Sequence, residues 1–201
     1  MGRWLVILIV LFIWIYILTI FNRKKQGFFY FFTGSVGLFA FAYTLLSPIV
    51  TFPLARLVCY LTGLIGRATG SFTAYSSYAV LFIENIDGPI SLYIDFECAG
   101  LIEILVFISL LIFFKAYKWY EKIWVGFLGV LIIFVANIIR LLSICFIIHQ
   151  FGNESYYLAH TIVGRLIFYA ISISLYFYVF TRRQIKRQNV GEFNYNENTG
   201  E

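Results

Sequence analysis

Three side chains that can take part in covalent chemistry lie in or beside long apolar segments: Cys98, Arg140 and His160. An arginine at the centre of a membrane-spanning helix costs about 2.5–3.5 kcal/mol or more, so its presence there marks a functional site by default. A thiol, an imidazole and a guanidinium are together the groups that activate a cysteine nucleophile and stabilise its charge. The sequence therefore predicts nucleophilic catalysis by Cys98.

The cysteine stands in the sequence Glu97-Cys98-Ala99-Gly100, shortly after Asp95. Asp95 is a candidate N-cap, which would place Cys98 in the first turn of a helix. The positive end of the helix macrodipole favours the thiolate there, whereas the carboxylates of Asp95 and Glu97 oppose it. A nearby cation is therefore needed for a reactive thiolate. The alternative is that Cys98 is a small buried residue without a chemical role.

Arg140 is the candidate for that cation. It lies about nine residues before the predicted outer end of its span, or about 13 Å deep at 1.5 Å per residue. Asn137 precedes it by three residues, on the same helical face, and can brace the guanidinium. The alternative is a structural ion pair between Arg140 and Glu103.

His160 opens the next apolar segment, and Gly164 follows one turn later. A glycine on that face lets another helix approach closely. We interpret His160 as the partner of the thiol because both are predicted at one depth; by itself it would be an interfacial residue. His149 is a weaker rival in a loop, and Arg165 is a second cation near this level, as a spare partner or an anchor.

Composition shows what kind of structure must position these groups. The chain has 201 residues, of which 61% are hydrophobic and only 12% are charged, as expected for an integral membrane protein without a separate soluble domain. The net charge of +5 is concentrated at residues 23–25, 115–122 and 182–187. Each cluster abuts an apolar run, which is typical of cytoplasmic loops. The basic residues thus predict the orientation of the protein in the membrane and contact with membrane lipids. We expect no nucleic-acid binding.

We predict a single polytopic membrane domain over residues 1–187 and a disordered cytoplasmic tail over residues 188–201. The predicted helical spans are residues 4–21, 28–50, 98–114, 123–148 and 158–180. Each is about long enough to cross the ~30 Å hydrocarbon core. With the N-terminus outside and the C-terminus inside, the three reactive groups come near the extracytoplasmic face of the plasma membrane.

Two segments between the second and third spans are predicted to lie outside the membrane. Residues 53–68 have apolar side chains at helical spacing but include Arg56 and Arg67, which favours an amphipathic helix on the outer surface. If this segment crossed the membrane instead, every later element would be inverted. The turn sequence at 85–88 predicts a short extracytoplasmic β-hairpin or loop. The fold class is therefore all-α and membrane-embedded, with about five spans, an outer helix and this small β element.

Other chemical motifs are missing from the sequence. It contains no glycine-rich phosphate loop, no Gly-x-Ser-x-Gly and no His-Glu-x-x-His. Two histidines and three scattered cysteines make a zinc site improbable, and we expect no metal and no cofactor. The odd number of cysteines leaves at least one free thiol.

Three short motifs resemble those of the exosortase/archaeosortase family of membrane transpeptidases. That family carries a Glu-Cys-Ser-Gly-like motif at a helix start, Asn-x-x-Arg on a later span, and a His or Arg before a Gly on the next. The counterparts here are Glu97-Cys98-Ala99-Gly100, Asn137-Ile138-Ile139-Arg140, and His160 with Gly164. Their order and spacing agree over about residues 53–180, and the small size resembles the compact Gram-positive forms of the G subgroup. Ala99 replaces the usual Ser, and the chain has fewer spans than many relatives.

The resemblance implies a transpeptidase or protease that processes secreted proteins bearing a C-terminal sorting signal. Such a signal has a short motif, one transmembrane helix and a basic cytoplasmic end. Cys98 would attack the scissile carbonyl, His160 would act as general base or acid, and Arg140 would stabilise the thiolate or the oxyanion. The acceptor of the resulting thioester, whether lipid, glycan or water, is left open. The implied supporting residues are Glu97, Gly100, Asn137 and Gly164.

Two other classes of function remain open on the sequence. In one, the protein is a non-catalytic transport or assembly component, and Arg140 and Glu103 form a structural pair. In the other, it is a polyprenyl-lipid or glycan enzyme, in which Arg140 and Arg165 hold a phosphate.

Overall fold

The computed structural model describes residues 2–96 and 98–188. The supporting role predicted for Glu97 therefore lies outside the described residues. The predicted disordered tail does too, apart from Gln188, which ends a helix.

Helices make up most of the described chain. They are α1 (Gly2–Arg23), α2 (Gly27–Thr69), α3 (Leu101–Phe113), α4 (Trp119–Phe151), α5 (Gly164–Tyr176) and α6 (Arg182–Gln188). Two π-helical segments, Leu158–Val163 and Phe177–Thr181, flank α5. Three strands, β1 (Phe72–Tyr75), β2 (Val80–Ile83) and β3 (Ile90–Tyr93), lie between α2 and α3.

Four helical runs of the described chain are long and apolar enough to cross a membrane: Leu5–Arg23, Gly27–Thr69, Trp119–Phe151 and Asn153–Ile185. The helix in the predicted third span is shorter. It begins at Leu101 rather than at residue 98, and its 13 residues extend only about 20 Å at 1.5 Å per residue. The helix starts late because Gly100, its N-cap, has a left-handed backbone with φ of 78°.

A single helix, α2, contains both the predicted second span and the predicted outer helix at 53–68. Its 43 residues extend about 65 Å, roughly twice the thickness of the hydrocarbon core. Pro48 and Pro53 lie inside it, which membrane helices tolerate because neighbouring groups satisfy the freed carbonyls. The predicted outer helix at 53–68 is thus the continuation of α2, and this end of α2 packs against the sheet.

The β element is a three-stranded antiparallel sheet with the order β1-β2-β3. The predicted hairpin corresponds to β2 and β3, in which Val80 pairs with Tyr93 and Ile83 with Ile90. The strand that the sequence analysis did not anticipate is β1. One face of the sheet is buried through Phe72, Leu81, Ile83 and Leu92, and it packs against α2 and α4.

Two contacts hold the sheet against the helices. On α2, Gly63 and Gly66 lie so close to Ala74 and Phe72 that a Cβ at either glycine would overlap them. At the other side, the turn of the β2–β3 hairpin meets the segment that follows α4. The backbone N–H of Asn153 donates to the Asp87 carboxylate at 2.9 Å. The sheet is therefore fixed between the end of α2 and the α4–α5 connection.

The basic segments lie together at the opposite end of the helical bundle. Lys115 of the α3–α4 loop places its ammonium 4.5 Å from the ring centroid of Tyr30 in α2, and Arg183 of α6 pairs with Glu121 of α4 at 3.1 Å. The Tyr117 hydroxyl donates to the Val179 carbonyl at 2.7 Å, and burial raises the pKa of this hydroxyl. The α3–α4 loop and the start of α6 thus adjoin the start of α2, at the end of the bundle remote from the sheet.

Helices α3, α4 and α5 share a buried core in the half of the bundle nearer the basic end. Phe107 is fully buried at its centre, and its ring occupies the place where Gly129 of α4 has no side chain. Tyr176 and Phe180 enclose the same ring edge-on, with centroids 5.9 and 6.0 Å away. The absent side chain of Gly129 therefore sets the distance between α3 and α4.

We expect Gly129→Ala to destabilise the protein by about 1–3 kcal/mol, because the added methyl group would overlap the fully buried Phe107 ring. Gly126→Ala is the matched control. It lies one turn earlier on α4, where the added Cβ would meet Leu111 at an ordinary 3.4 Å, and alanine also favours the helix. Thermal unfolding in detergent should show a lower midpoint for Gly129→Ala only; equal midpoints would contradict the packing described here.

Candidate active site

Cys98 and His160 are in contact although 62 residues separate them. The Cys98 Sγ atom lies 3.6 Å from His160 Nε2, within hydrogen-bonding distance for sulfur. Cys98 is only 4% exposed and His160 is half-buried. An imidazole at this distance can accept the thiol proton or return it.

A capped turn between β3 and α3 holds the thiol. The carboxylate of Asp95 accepts a hydrogen bond from the Cys98 backbone N–H at 3.0 Å, and the Asp95 carbonyl accepts one from the Ala99 N–H at 2.8 Å. Asp95 therefore caps a single helical turn that contains Cys98. The predicted position of Cys98 in the first turn of the long helix is wrong, because the left-handed Gly100 separates this turn from α3.

Asn137 fastens this turn to α4. Its side-chain amide donates to the Cys98 carbonyl at 2.5 Å, and the residue is completely buried. Gly100 lies against the same amide, since a Cβ at this position would be 3.4 Å from Asn137 Cγ. Asn137 and Gly100, both supporting residues in the sequence analysis, therefore lie directly behind the thiol.

His160 lies in the π-helical segment before α5. Such segments are rare and occur often at functional sites. The imidazole stacks on Tyr156, with ring centroids 5.6 Å apart and planes within 6°. Gly164 brings α5 close to α4, because a Cβ there would come within 2.9 Å of the Ile144 side chain. These two contacts fix the imidazole opposite the Cys98 turn.

His149 makes a different kind of contact. Its Nδ1 atom lies 2.6 Å from the Glu84 carbonyl oxygen, at the end of β2. His149, the predicted rival of His160, therefore attaches the sheet to α4.

Arg140 lies one turn after Asn137 on α4 and is only 6% exposed. Its guanidinium carbon is 5.9 Å from the centre of the Phe168 ring. It lines a cavity of about 280 Å³ together with Glu103 and Arg165. The carboxylate weighed as its structural partner thus borders the same cavity. A guanidinium this deeply buried interacts strongly with any negative charge that forms nearby.

Sequence reasoning missed the aromatic neighbours of these groups. Tyr156 precedes His160 by four residues, a spacing that puts two side chains on one helical face and could have indicated the stack. Phe168 had no distinguishing signal among the 23 phenylalanines of the chain. As for metals, no group of three or more His, Cys, Asp or Glu side chains suited to an ion occurs within residues 2–96 and 98–188.

Comparison with known proteins gives one match at the level of a family. No curated protein and no solved structure matches the chain. The family model described as Transmembrane exosortase (Exosortase_EpsH) matches residues 2–178. The match covers most of the chain, including the Cys98 turn, α4 and the π-helical segment with His160. The predicted resemblance and the predicted helical membrane fold are thereby confirmed: the chain belongs to the transmembrane exosortase family.

Proposed function

We propose that the protein is a membrane-embedded cysteine transpeptidase that cleaves a C-terminal sorting signal from secreted proteins and transfers them to an acceptor. The contact of 3.6 Å between Cys98 Sγ and His160 Nε2 carries this proposal. Membership of the transmembrane exosortase family supports it, and the matched residues 2–178 include both side chains.

The reaction begins with transfer of the thiol proton from Cys98 to His160 Nε2. The sulfur then bonds to the carbonyl carbon of the scissile peptide, whose oxygen becomes negatively charged in the tetrahedral intermediate. As the carbon–nitrogen bond breaks, the imidazolium returns its proton to the departing amine, and a thioester remains on Cys98. An acceptor nucleophile next loses its proton to His160 and displaces the thiolate, which completes the transfer.

Arg140, which lies one turn after Asn137 on α4, supplies positive charge for this reaction. A buried guanidinium is preorganised and poorly screened, so it lowers the energy of the thiolate and of the oxyanion more than it would in water. Asn137 and Gly100 are positioning residues, because they act on the Cys98 turn rather than on the substrate. Tyr156 is also a positioning residue, because its ring stacks on the imidazole of His160.

The orientation of the protein follows from its two chemically different ends. Basic segments occupy one end, as in cytoplasmic loops, and the sheet with the Cys98 turn occupies the other. In a plasma membrane the thiol then faces the extracytoplasmic side, where secreted substrates arrive. A substrate with an apolar helix and a basic tail would insert with its tail on the same inner side.

Replacing the nucleophile should abolish processing. We expect Cys98→Ala and Cys98→Ser each to lower the rate at least about 1,000-fold, as removal of a catalytic nucleophile does elsewhere. The assay follows cleavage, on immunoblots, of a secreted protein from the same genome that carries a C-terminal motif, an apolar helix and a basic end. Cys145→Ala, which removes another buried thiol, is the matched control and should retain activity. Normal processing by both Cys98 variants would refute the mechanism.

The imidazole should also control the reactivity of the thiol without any substrate. We expect His160→Ala to slow alkylation of Cys98 by N-ethylmaleimide about tenfold, because the thiolate is the reacting species. Peptide mass spectrometry after timed exposure measures this rate, with Cys59 and Cys145 as internal references. His149→Gln, the control, should leave the rate unchanged, and an equal effect of the two histidine variants would argue against a proton acceptor at position 160.

The proposed orientation predicts which engineered thiols a membrane-impermeant maleimide reaches in intact cells. Ile86→Cys lies in the hairpin turn, where the native side chain is 91% exposed, and should be labelled directly. Trp119→Cys lies at the basic end, where the native side chain is 78% exposed, and should need permeabilised cells. The reverse pattern would show that the active site faces the cytoplasm.

A further inference from the structure

One open edge of the three-stranded sheet leads directly into the turn that carries Cys98. The sheet order β1-β2-β3 makes β3 an edge strand, and Asp95, which caps the turn, follows β3 by two residues. We propose that this edge binds the substrate as an added β-strand, through the extended segment that precedes the scissile bond. The inference rests on the proposed transpeptidase function and names the part of the substrate that the protein recognises.

The register of the sheet shows which backbone groups of β3 face the open edge. The Ile94 N–H donates to the carbonyl of Ala79 at 2.9 Å, the residue directly opposite it in the register. Opposed residues of an antiparallel pair alternate between those that exchange hydrogen bonds and those that do not. Ile94 and Leu92 are therefore of the first kind, whereas Ser91 and Tyr93 direct their N–H and C=O groups away from β2.

These outward groups match the backbone of an extended peptide. In the part of the chain that the structure describes, the backbone groups of Ser91 and Tyr93 make no hydrogen bond to another segment. An unpaired strand edge is a template for a further strand, and a peptide that adds to such an edge gains main-chain hydrogen bonds. The edge of β3 therefore offers the alternating donors and acceptors that an extended peptide needs.

The position of β3 determines which part of a substrate it can reach. Cys98 follows Tyr93 by five residues, so their Cα atoms are at most about 18 Å apart at about 3.6 Å per residue. A peptide that pairs with β3 and presents a carbonyl to Cys98 thus has its scissile bond within about five residues of the position opposite Tyr93. In the proposed orientation the apolar helix of the substrate continues into the membrane. The segment before the scissile bond is therefore the one that lies along the sheet.

The outer face of the sheet gives this edge a preference among side chains. Ser91 and Tyr93 lie on that face, and Phe82 of β2 is directly opposite Ser91. The exposed fractions are 58% for Tyr93 and 38% for Phe82. Side chains of an added strand alternate between the two faces, so every second substrate side chain lies beside these rings. Exposed aromatic rings pack best against apolar or aromatic groups, which predicts such residues at alternate positions of the substrate segment.

Disulfide cross-linking tests the pairing without requiring cleavage. The full-length protein carries Ser91→Cys and Cys98→Ala, and is expressed with a secreted protein from the same genome that has a C-terminal motif, an apolar helix and a basic end. Single cysteines are placed at successive positions of the segment before that helix. Mild oxidation of the membranes should give cross-links at every second position. The reason is that opposed side chains on one face lie about 5 Å apart, while the intervening ones point to the other face.

Thr73→Cys in the same Cys98→Ala background is the matched control. Thr73 is also exposed and lies on the outer face, opposite Phe82, but it belongs to β1, about 10 Å from β3 at about 4.8 Å per strand. It should form no cross-link. Equal cross-linking from both positions, cross-links at consecutive substrate positions without alternation, or none from Ser91→Cys would overturn the proposal.

Proline at the edge should slow processing by the protein with its native Cys98. We expect Ser91→Pro to lower the cleavage rate about tenfold, because it removes an outward N–H and its ring obstructs an added strand. The pairing with β2 does not use this N–H, so the thermal unfolding midpoint in detergent should stay unchanged. Normal processing by Ser91→Pro would contradict the proposal. Alternating cross-links without any cleavage by the wild type would refute the transpeptidase and keep the binding edge, so the two failures are distinguishable.

Discussion

The hydrogen bond from the Asn137 amide to the Cys98 carbonyl joins the turn that carries the thiol to the helix that carries Arg140. It is made in a completely buried place, where an unsatisfied amide or carbonyl would cost about 1–3 kcal/mol. Gly100 allows the close approach of the turn to α4. With the turn attached to α4 in this way, the position of the thiol relative to the imidazole depends on how α4 packs against the π-helical segment and α5.

The rest of the fold supports this packing from both ends of the bundle. At one end, the end of α2 packs against the three-stranded sheet, and β3 leads directly into the Asp95-capped turn. Near the basic end, α3, α4 and α5 enclose Phe107 in a dry core, with Gly129 setting their spacing. The π-helical segment that precedes α5 carries His160 and presents it to Cys98. Gly100, Gly129 and the π-helical segment thus position the polar groups.

A membrane environment explains why these polar groups lie together. Charged and hydrogen-bonding side chains in a span are costly unless they face one another, a cavity or lipid headgroups. Arg140, Glu103 and Arg165 meet this requirement by lining a shared cavity. The same scarcity of water that makes them costly also strengthens their electrostatic interactions.

The sequence by itself determined the class of protein, the basic end, the hairpin turn at 85–88 and the residues of the three motifs, because hydropathy, charge and turn propensity are local properties. Only the tertiary structure decided that α2 runs on through Pro48 and Pro53, that β1 completes the sheet, and that Gly100 excludes Cys98 from α3. It also decided which histidine meets the thiol. These outcomes depend on how whole elements pack together, as in the contact between Cys98 and His160 across 62 residues. The free energy of that packing cannot be read from the sequence neighbours of any one residue.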